Sequence, residues 1–161
     1  MSAITPDFRS RGFLLEHIQQ TMGFYHPRAV DPRGGFYHYF KDDGTIYDSV
    51  TRHLVSSTRF VFTYSMAYQH FHRPEYLQGV KHGLAFLRNI HRNPATGGYA
   101  WILRVLEGKA EIEDAINHCY GLAFVLLAYS YALRAGLGEG KEYLKETFDL
   151  MEQRSASHPC V

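Results

Sequence analysis

The chain has 161 residues, of which 45% are hydrophobic and 20% charged, and its formal net charge is +1. That composition indicates a folded domain and excludes a disordered chain. Its lysines and arginines are scattered without a basic stripe, which argues against nucleic acid as a partner. The aromatic share of 15% suits a sugar-sized pocket and equally suits a tyrosine-rich core and rim.

The N-terminal segment from Met1 to Asp7 lacks the charged and apolar regions of a secretory signal. Two cysteines, Cys119 and Cys160, are too few for a disulfide framework and indicate a reducing compartment. The longest apolar stretch, residues 120–133, is too short and too interrupted to span a bilayer. We therefore expect a cytoplasmic protein without a membrane partner.

Helical periodicity and capping residues predict five helices in chain order. The first follows an N-cap at Asp7 and ends before Pro27, and the second is capped by Asp48 or Ser49 and runs to about residue 72. The third covers about 75–90, the fourth about 114–134 with Gly136 closing it, and the fifth begins near Gly140. Between the first two helices, residues 36–40 and the turn at 43–44 indicate a short strand or extended loop.

One segment of the chain is present twice. Residues 31–40, with two glycines followed by an aromatic residue, are answered by residues 93–102, and an acidic-Gly turn follows each copy. The second glycines, Gly35 and Gly98, set a period of about 63 residues, long enough for a helical hairpin plus a loop. The fold class is therefore all-α with tandem helical hairpins, in which helices two and four form an inner wall and the two loops lie side by side.

Helical periodicity is lost after Arg154. We therefore expect residues 1–154 to form the regular domain and residues 155–161 to be an irregular tail. Two and a half hairpins leave an apolar flank open, so we expect a truncated product or an interrupted reading frame, the alternative being a disordered natural tail.

Arg59 is the most informative single residue, because it lies among apolar residues in the helix predicted to be innermost. A buried cation needs partners. The guanidinium group of Arg59 could hold a carbonyl, hydroxyl or enediolate oxygen of a ligand, or it could pair with Asp48, Asp114 or backbone carbonyls. The repeat has Ala123 at the matching place, which slightly favours a functional role.

Aromatic residues near the repeated loops are the next candidates. We expect Trp101, Tyr120 and Tyr37 to contact a ligand, and we expect Phe36 and Tyr99 to pack across their loops.

Among the ten histidines, no spacing predicts a metal site, and most are expected at the surface or rim. His38 and His118 are the acid–base candidates.

Several segments resemble the N-terminal part of the N-acylglucosamine 2-epimerase family, which includes mannose isomerases, sulfoquinovose isomerases and cellobiose 2-epimerases. They are residues 34–36, 43–44, 52–65, 97–101 and 120–128, and the resemblance covers about residues 7–154. It implies part of an (α/α)6 toroid. It also implies a cofactor-free enzyme that moves a proton next to the carbonyl of a monosaccharide or related sugar, by aldose–ketose isomerisation or C2 epimerisation.

By that resemblance, Arg59 matches an arginine that binds sugar oxygens at the reacting end. A fixed cation there stabilises the charge that develops on an enediolate oxygen. The family's acid and base histidines lie on later hairpins, so they are expected beyond residue 161, and this chain alone is expected to show little or no activity. In the motif of the fourth helix, this chain has Leu122 at the position where some family members have a histidine.

Two other functions stay open. Tandem hairpins also serve as non-catalytic scaffolds that bind carbohydrate or peptide. A glycoside hydrolase would need two carboxylates, for which Asp48 and Asp114 are available, although both are predicted helix caps.

Overall fold

The computed structural model describes residues 6–157, the last four by their backbone alone. Over that range the all-α class is confirmed, with short strands added. The elements are α1 (Arg11–Tyr25), β1 (Tyr39–Phe40), β2 (Ile46–Asp48), β3 (Thr51–His53), α2 (Leu54–Phe71), α3 (Pro74–Phe86), a π-helical turn (Leu87–His91), β4 (Ile102–Leu106), β5 (Lys109–Asp114), α4 (Cys119–Arg134) and α5 (Gly140–Ser157).

Two helical hairpins, α2–α3 and α4–α5, lie side by side. Helix α2 packs against both α3 and α4, and α4 packs against α5. Their shared core includes Leu54, Val61 and Tyr64 of α2 and Leu122 and Val125 of α4, all buried. The tandem arrangement predicted from the repeat is therefore the arrangement of the main helices.

The predicted starts of the first two helices are wrong, because the acidic residues cap turns instead. Ser10 is the N-cap of α1, and the Asp7 carboxylate accepts from the Arg9 amide. Asp48 accepts from the amides of residues 50 and 51, while His53 is the N-cap of α2. The predicted stop at Gly136 is confirmed, since its φ of 94° is left-handed.

The segment predicted to begin the fourth helix, at Asp114, is the end of a β-hairpin followed by a loop. Strand β4 pairs with β3 on one side and with β5 on the other, both antiparallel. Glu107 and Gly108 have φ values of 50° and 79°. Positive φ at both positions is typical of a type I′ hairpin turn, whose twist matches the flanking strands. Helix α4 therefore begins at Cys119, after the hairpin.

The two copies of the repeated segment have the same backbone structure. The amide of Asp31 donates to the carbonyl of Gly35, and the amide of Asn93 donates to the carbonyl of Gly98. In each copy the Asx side chain accepts from the amide two residues later. The aromatic residues after the glycines, Phe36 and Tyr99, are fully buried, as predicted. The repeat is thus a repeat of structure as well as of sequence.

Helix α5 continues into the predicted irregular tail, since residues 155–157 are helical. Residues 158–161, with Cys160, and the N-terminal residues 1–5 lie outside the described range. Within the described range, none of the helices combines the length and hydropathy that a bilayer crossing requires.

Candidate functional site

Arg59 lies on an exposed face of α2, so its predicted burial is wrong. Its guanidinium carbon stands 4.9 Å from the ring centroid of Phe124 on α4. Neither Asp48 nor Asp114 pairs with it, because each carboxylate accepts from nearby backbone amides. Across residues 6–153 no carboxylate lies within ion-pair distance of Arg59. The cation is therefore held by stacking and remains accessible to a ligand.

An aromatic strip, defined here as Trp101, Tyr120 and Phe124, extends from Arg59 along the start of α4. The rings of Phe124 and Tyr120 are 5.0 Å apart, and those of Tyr120 and Trp101 are 6.4 Å apart. Tyr120 is 59% exposed. Two of the predicted ligand contacts, Trp101 and Tyr120, thus lie on the same face as Arg59. Aromatic faces beside a cation and open to solvent suit the stacking of a sugar ring.

Two histidines flank Trp101 at the end of this strip. The ring centroids of His53 and His118 lie 4.4 Å and 4.5 Å from that of Trp101. Nδ1 of His53 accepts from the amide of Val55, which leaves the proton of the neutral ring on Nε2. Partial burial, then the charges of Arg59 and His118, lower the pKa of His53. His53 therefore presents a neutral donor at the site.

Sequence reasoning missed His53. It stands where an N-cap belongs, yet histidine is not a favoured N-cap residue, so no local signal marked it. His118, by contrast, was predicted as an acid–base candidate, and the structure places it at the aromatic strip.

A cavity of about 250 Å³ opens on the other side of Arg59. Its walls combine small polar and aromatic side chains, namely Thr21, Tyr25, His38, Ser56, Arg59, Phe60 and Thr63. A larger cleft of about 590 Å³ lies between the end of α1 and α3 and does not include Arg59. The smaller cavity is the one that adjoins the cation.

Tyr37 contacts the arginines of the ion cluster at the first repeated loop. The guanidinium of Arg52 covers its ring at 4.8 Å, and that of Arg33 lies at 5.9 Å. Arg52 is the buried arginine of the structure and pairs with the equally buried Asp31 at 2.5 Å. Burial opposes ionisation of Asp31, but hydrogen bonds from Arg33 and Arg52 outweigh it and lower its pKa. Tyr37 therefore belongs to a structural ion cluster in the first repeated loop.

His38 does not present a free nitrogen to a ligand. Its Nδ1 accepts from the amide of His53, and its Nε2 lies 3.4 Å from Oγ of Ser57. Burial, then the charge of Arg52, holds its pKa well below the usual value. His91 is fully enclosed, an exception to the surface or rim position expected for most histidines, and burial lowers its pKa to about 4. His91 therefore belongs to the interior, whereas His38 joins the wall of the cavity beside Arg59 to that interior.

Comparison with known proteins assigns this arrangement to a family. Residues 35–160 match the family model described as N-acylglucosamine 2-epimerase. The chain is 50% identical over 147 residues to the D-mannose isomerase of Marinomonas mediterranea, covering 91% of this chain and 36% of that protein. It is 30% identical over 112 residues to the cellobiose 2-epimerase of Eubacterium cellulosolvens, covering 70% of this chain and 27% of that protein.

A crystal structure of a D-mannose isomerase superposes with a TM-score of 0.87 at 49% sequence identity, over 93% of this chain and 37% of that one. The described hairpins are thus part of an (α/α)6 toroid, as predicted. The chain spans little more than a third of the length of the D-mannose isomerases it matches.

Proposed function

Because the chain belongs to the N-acylglucosamine 2-epimerase family, we propose that it forms part of a sugar isomerase or 2-epimerase of carbohydrate metabolism. The reaction is an aldose–ketose isomerisation or a C2 epimerisation, by proton transfer next to the carbonyl. D-mannose is the first substrate to test, given the 50% identity to a D-mannose isomerase. The two-cysteine composition supports a cytoplasmic location.

The observation that carries the proposal is the accessible Arg59 beside the aromatic strip. An arginine without a carboxylate partner stabilises negative charge on a sugar oxygen better than one already neutralised by a salt bridge. We assign it to the oxygens at C1 and C2, where charge grows as the C2 proton leaves. Trp101 stacks on the sugar ring, Tyr120 contacts a hydroxyl, and His53 donates from Nε2.

We infer that the proton-transferring histidines lie outside these 161 residues. His38 and His91 use their ring nitrogens inside the fold. His53 has one nitrogen engaged and the other protonated, so it is a donor and not a base. His118, whose ring centroid lies 4.5 Å from that of Trp101, is the remaining acid–base candidate of this chain.

A chimera tests the proposal with this chain's own residues. The chain replaces the matched segment of the Marinomonas mediterranea isomerase, and loss of the C2 proton of D-mannose is followed by NMR in deuterium oxide. We expect exchange, and we expect Arg59→Ala to lower kcat/KM by about 100-fold or more, as loss of one charge-stabilising group does.

Arg134→Ala is the matched control, because this exposed arginine also stands 4.9 Å above an aromatic ring, that of Tyr131. It should leave kcat/KM within about threefold of the parent. Equal losses in the two variants would contradict the role of Arg59.

The second candidate is a non-catalytic carbohydrate scaffold, which the exposed aromatic strip favours. Titration of the chain with D-mannose, followed by the fluorescence of Trp101, detects binding in either case. If the chimera binds D-mannose saturably but does not exchange the C2 proton, the result favours the scaffold. Exchange of that proton favours the enzyme.

A further inference from the structure

A hydrogen-bonded relay, defined here as His38, Ser57 and His91, lies behind the site. Oγ of Ser57 lies 3.1 Å from Nε2 of His91 and 3.4 Å from Nε2 of His38. Ser57 and His91 are 2% and 1% exposed. These groups come from the first repeated loop, from α2 and from the π-helical turn, so the relay crosses the interior between elements far apart in sequence.

The backbone contacts at its two ends fix the direction of every hydrogen bond. The amide of His53 donates to Nδ1 of His38 at 3.1 Å, so the proton of that neutral ring is on Nε2 and points to Ser57. At the other end, Nδ1 of His91 donates to the carbonyl of Ala100 at 3.0 Å, which leaves Nε2 to accept. The Ser57 hydroxyl therefore accepts from His38 and donates to His91, and only one arrangement of protons satisfies all three groups.

The two backbone groups at the ends belong to the site. One is the amide of His53 itself, and the other is the carbonyl of the residue before Trp101. The rings of His53 and Trp101 meet at 4.4 Å, and the amide of Leu54 donates to the carbonyl of Trp101. The relay thus adds a side-chain connection to the β3–β4 pairing that already joins the segments of His53 and Trp101.

We propose that Ser57, with His38 and His91, positions His53 and Trp101 at the sugar-binding face. Ser57 is the central positioning residue, because its hydroxyl joins the two histidines. Without it, two ring nitrogens inside the fold lose their hydrogen-bond partner, and the β3–β4 pairing is left to hold His53 and Trp101 without this side-chain support. The contact of these rings with a sugar rests on the proposed function, whereas their positioning by the relay does not.

The fluorescence of Trp101 reports this positioning directly, because the chain contains one tryptophan. Ser57→Ala removes the central hydroxyl. The matched control is Ser65→Ala, which removes another buried hydroxyl of α2, one that donates to the carbonyl of Val61 in the same helix. Emission spectrum and iodide quenching are measured on the folded 161-residue chain without sugar, and unfolding by urea is recorded for each variant.

We expect Ser57→Ala to change the Trp101 iodide quenching constant by about twofold and to shift the emission maximum, since a loosened supporting shell frees the ring. Ser65→Ala should match the parent at comparable stability. Ser57→Thr, which keeps the hydroxyl, should restore the parent spectrum. A Ser57→Ala spectrum identical to the parent, or an equal change in Ser65→Ala, would overturn the proposal, and either result would leave the Arg59 experiment intact.

Discussion

His91 makes the stability of the fold sensitive to acid. In an unfolded chain a histidine binds its proton near pH 6.5, whereas enclosure in the fold lowers the pKa of His91 to about 4. Burial is the main cause, and the nearby His53 and Arg52 add to it, while the hydrogen bond to Ala100 acts the other way. As the pH falls below 6.5 the unfolded state gains a proton that the folded state does not. Stability is therefore complete above that pH and declines toward pH 4.

The free energy of unfolding should fall by about 2 kcal/mol between about pH 7.5 and about pH 5 through His91 alone. Urea unfolding at the two pH values measures the loss. His91→Gln should reduce this pH dependence, although it also lowers stability at both values. The exposed His70 gives the control variant His70→Gln, which should keep the parental dependence. Carboxylates such as Asp31, whose pKa is lowered, titrate below this window. An unchanged slope in His91→Gln would contradict the assignment.

The two arginines near the start of α2 show which residue properties a sequence encodes locally. Apolar neighbours suggested a buried Arg59, but the helix turns that side chain outward onto Phe124. Arg52 is the buried one, and its partner Asp31 stands 21 residues earlier. A charged side chain is buried only where the fold brings a partner to it, so the neighbouring residues in the sequence could not show which arginine is buried. Trp101 was easier to single out, because it is the single tryptophan of the chain and follows the second pair of repeated glycines.

The close approach of α3 to α2 depends on Gly83. A Cβ built at this position lies 2.5 Å from Cγ2 of Val61 and 2.6 Å from Cε2 of Phe36. We expect Gly83→Ala to lower the free energy of unfolding by about 1–3 kcal/mol, because both neighbours are fully buried and cannot move aside freely.

The control for this prediction is Gly23 of α1, where a Cβ meets no atom within 4 Å. Gly23→Ala should stabilise the protein by about 0.5–1 kcal/mol through helix propensity. Urea denaturation of both variants measures whether each substitution raises or lowers the free energy of unfolding. Stabilisation by Gly83→Ala would mean that α3 lies further from α2 than described.

Helices were predicted well and the β4–β5 hairpin was not, for a physical reason. Each helix carries its own periodicity and its own hydrogen bonds, so α2, α4 and α5 are visible in the sequence. Strand β4 has a period of two over five residues, and its buried Leu103 and Val105 pack on Phe86 from a distant helix. The turn at Glu107 was recognised, but Asp114 resembled a helix cap. A short strand is defined by its neighbours, which the local sequence does not show.

At the scale of the molecule, the site is an open surface. Arg59 and Tyr120 are exposed, and the cavity beside Arg59 measures about 250 Å³. Enclosed ligand pockets are usually about 300–1,000 Å³. Water at such a face screens the charge of Arg59, which weakens its effect on a developing enediolate. The proposed sugar contacts therefore lie on a face without the enclosure that proton transfer next to a carbonyl needs.

We therefore expect the purified 161-residue chain to give no detectable conversion of D-mannose to D-fructose. The open face gives neither His53 nor His118 the water-excluded setting in which a proton is transferred next to a carbonyl. Saturable quenching of Trp101 by the sugar, lost in Arg59→Ala and kept in Arg134→Ala, would show that binding is present without turnover. The chimera, assayed in parallel for ketose formation, provides the positive control. Conversion by the 161-residue chain itself would show that the acid and base are both within it, and His118 would then be the first residue to replace.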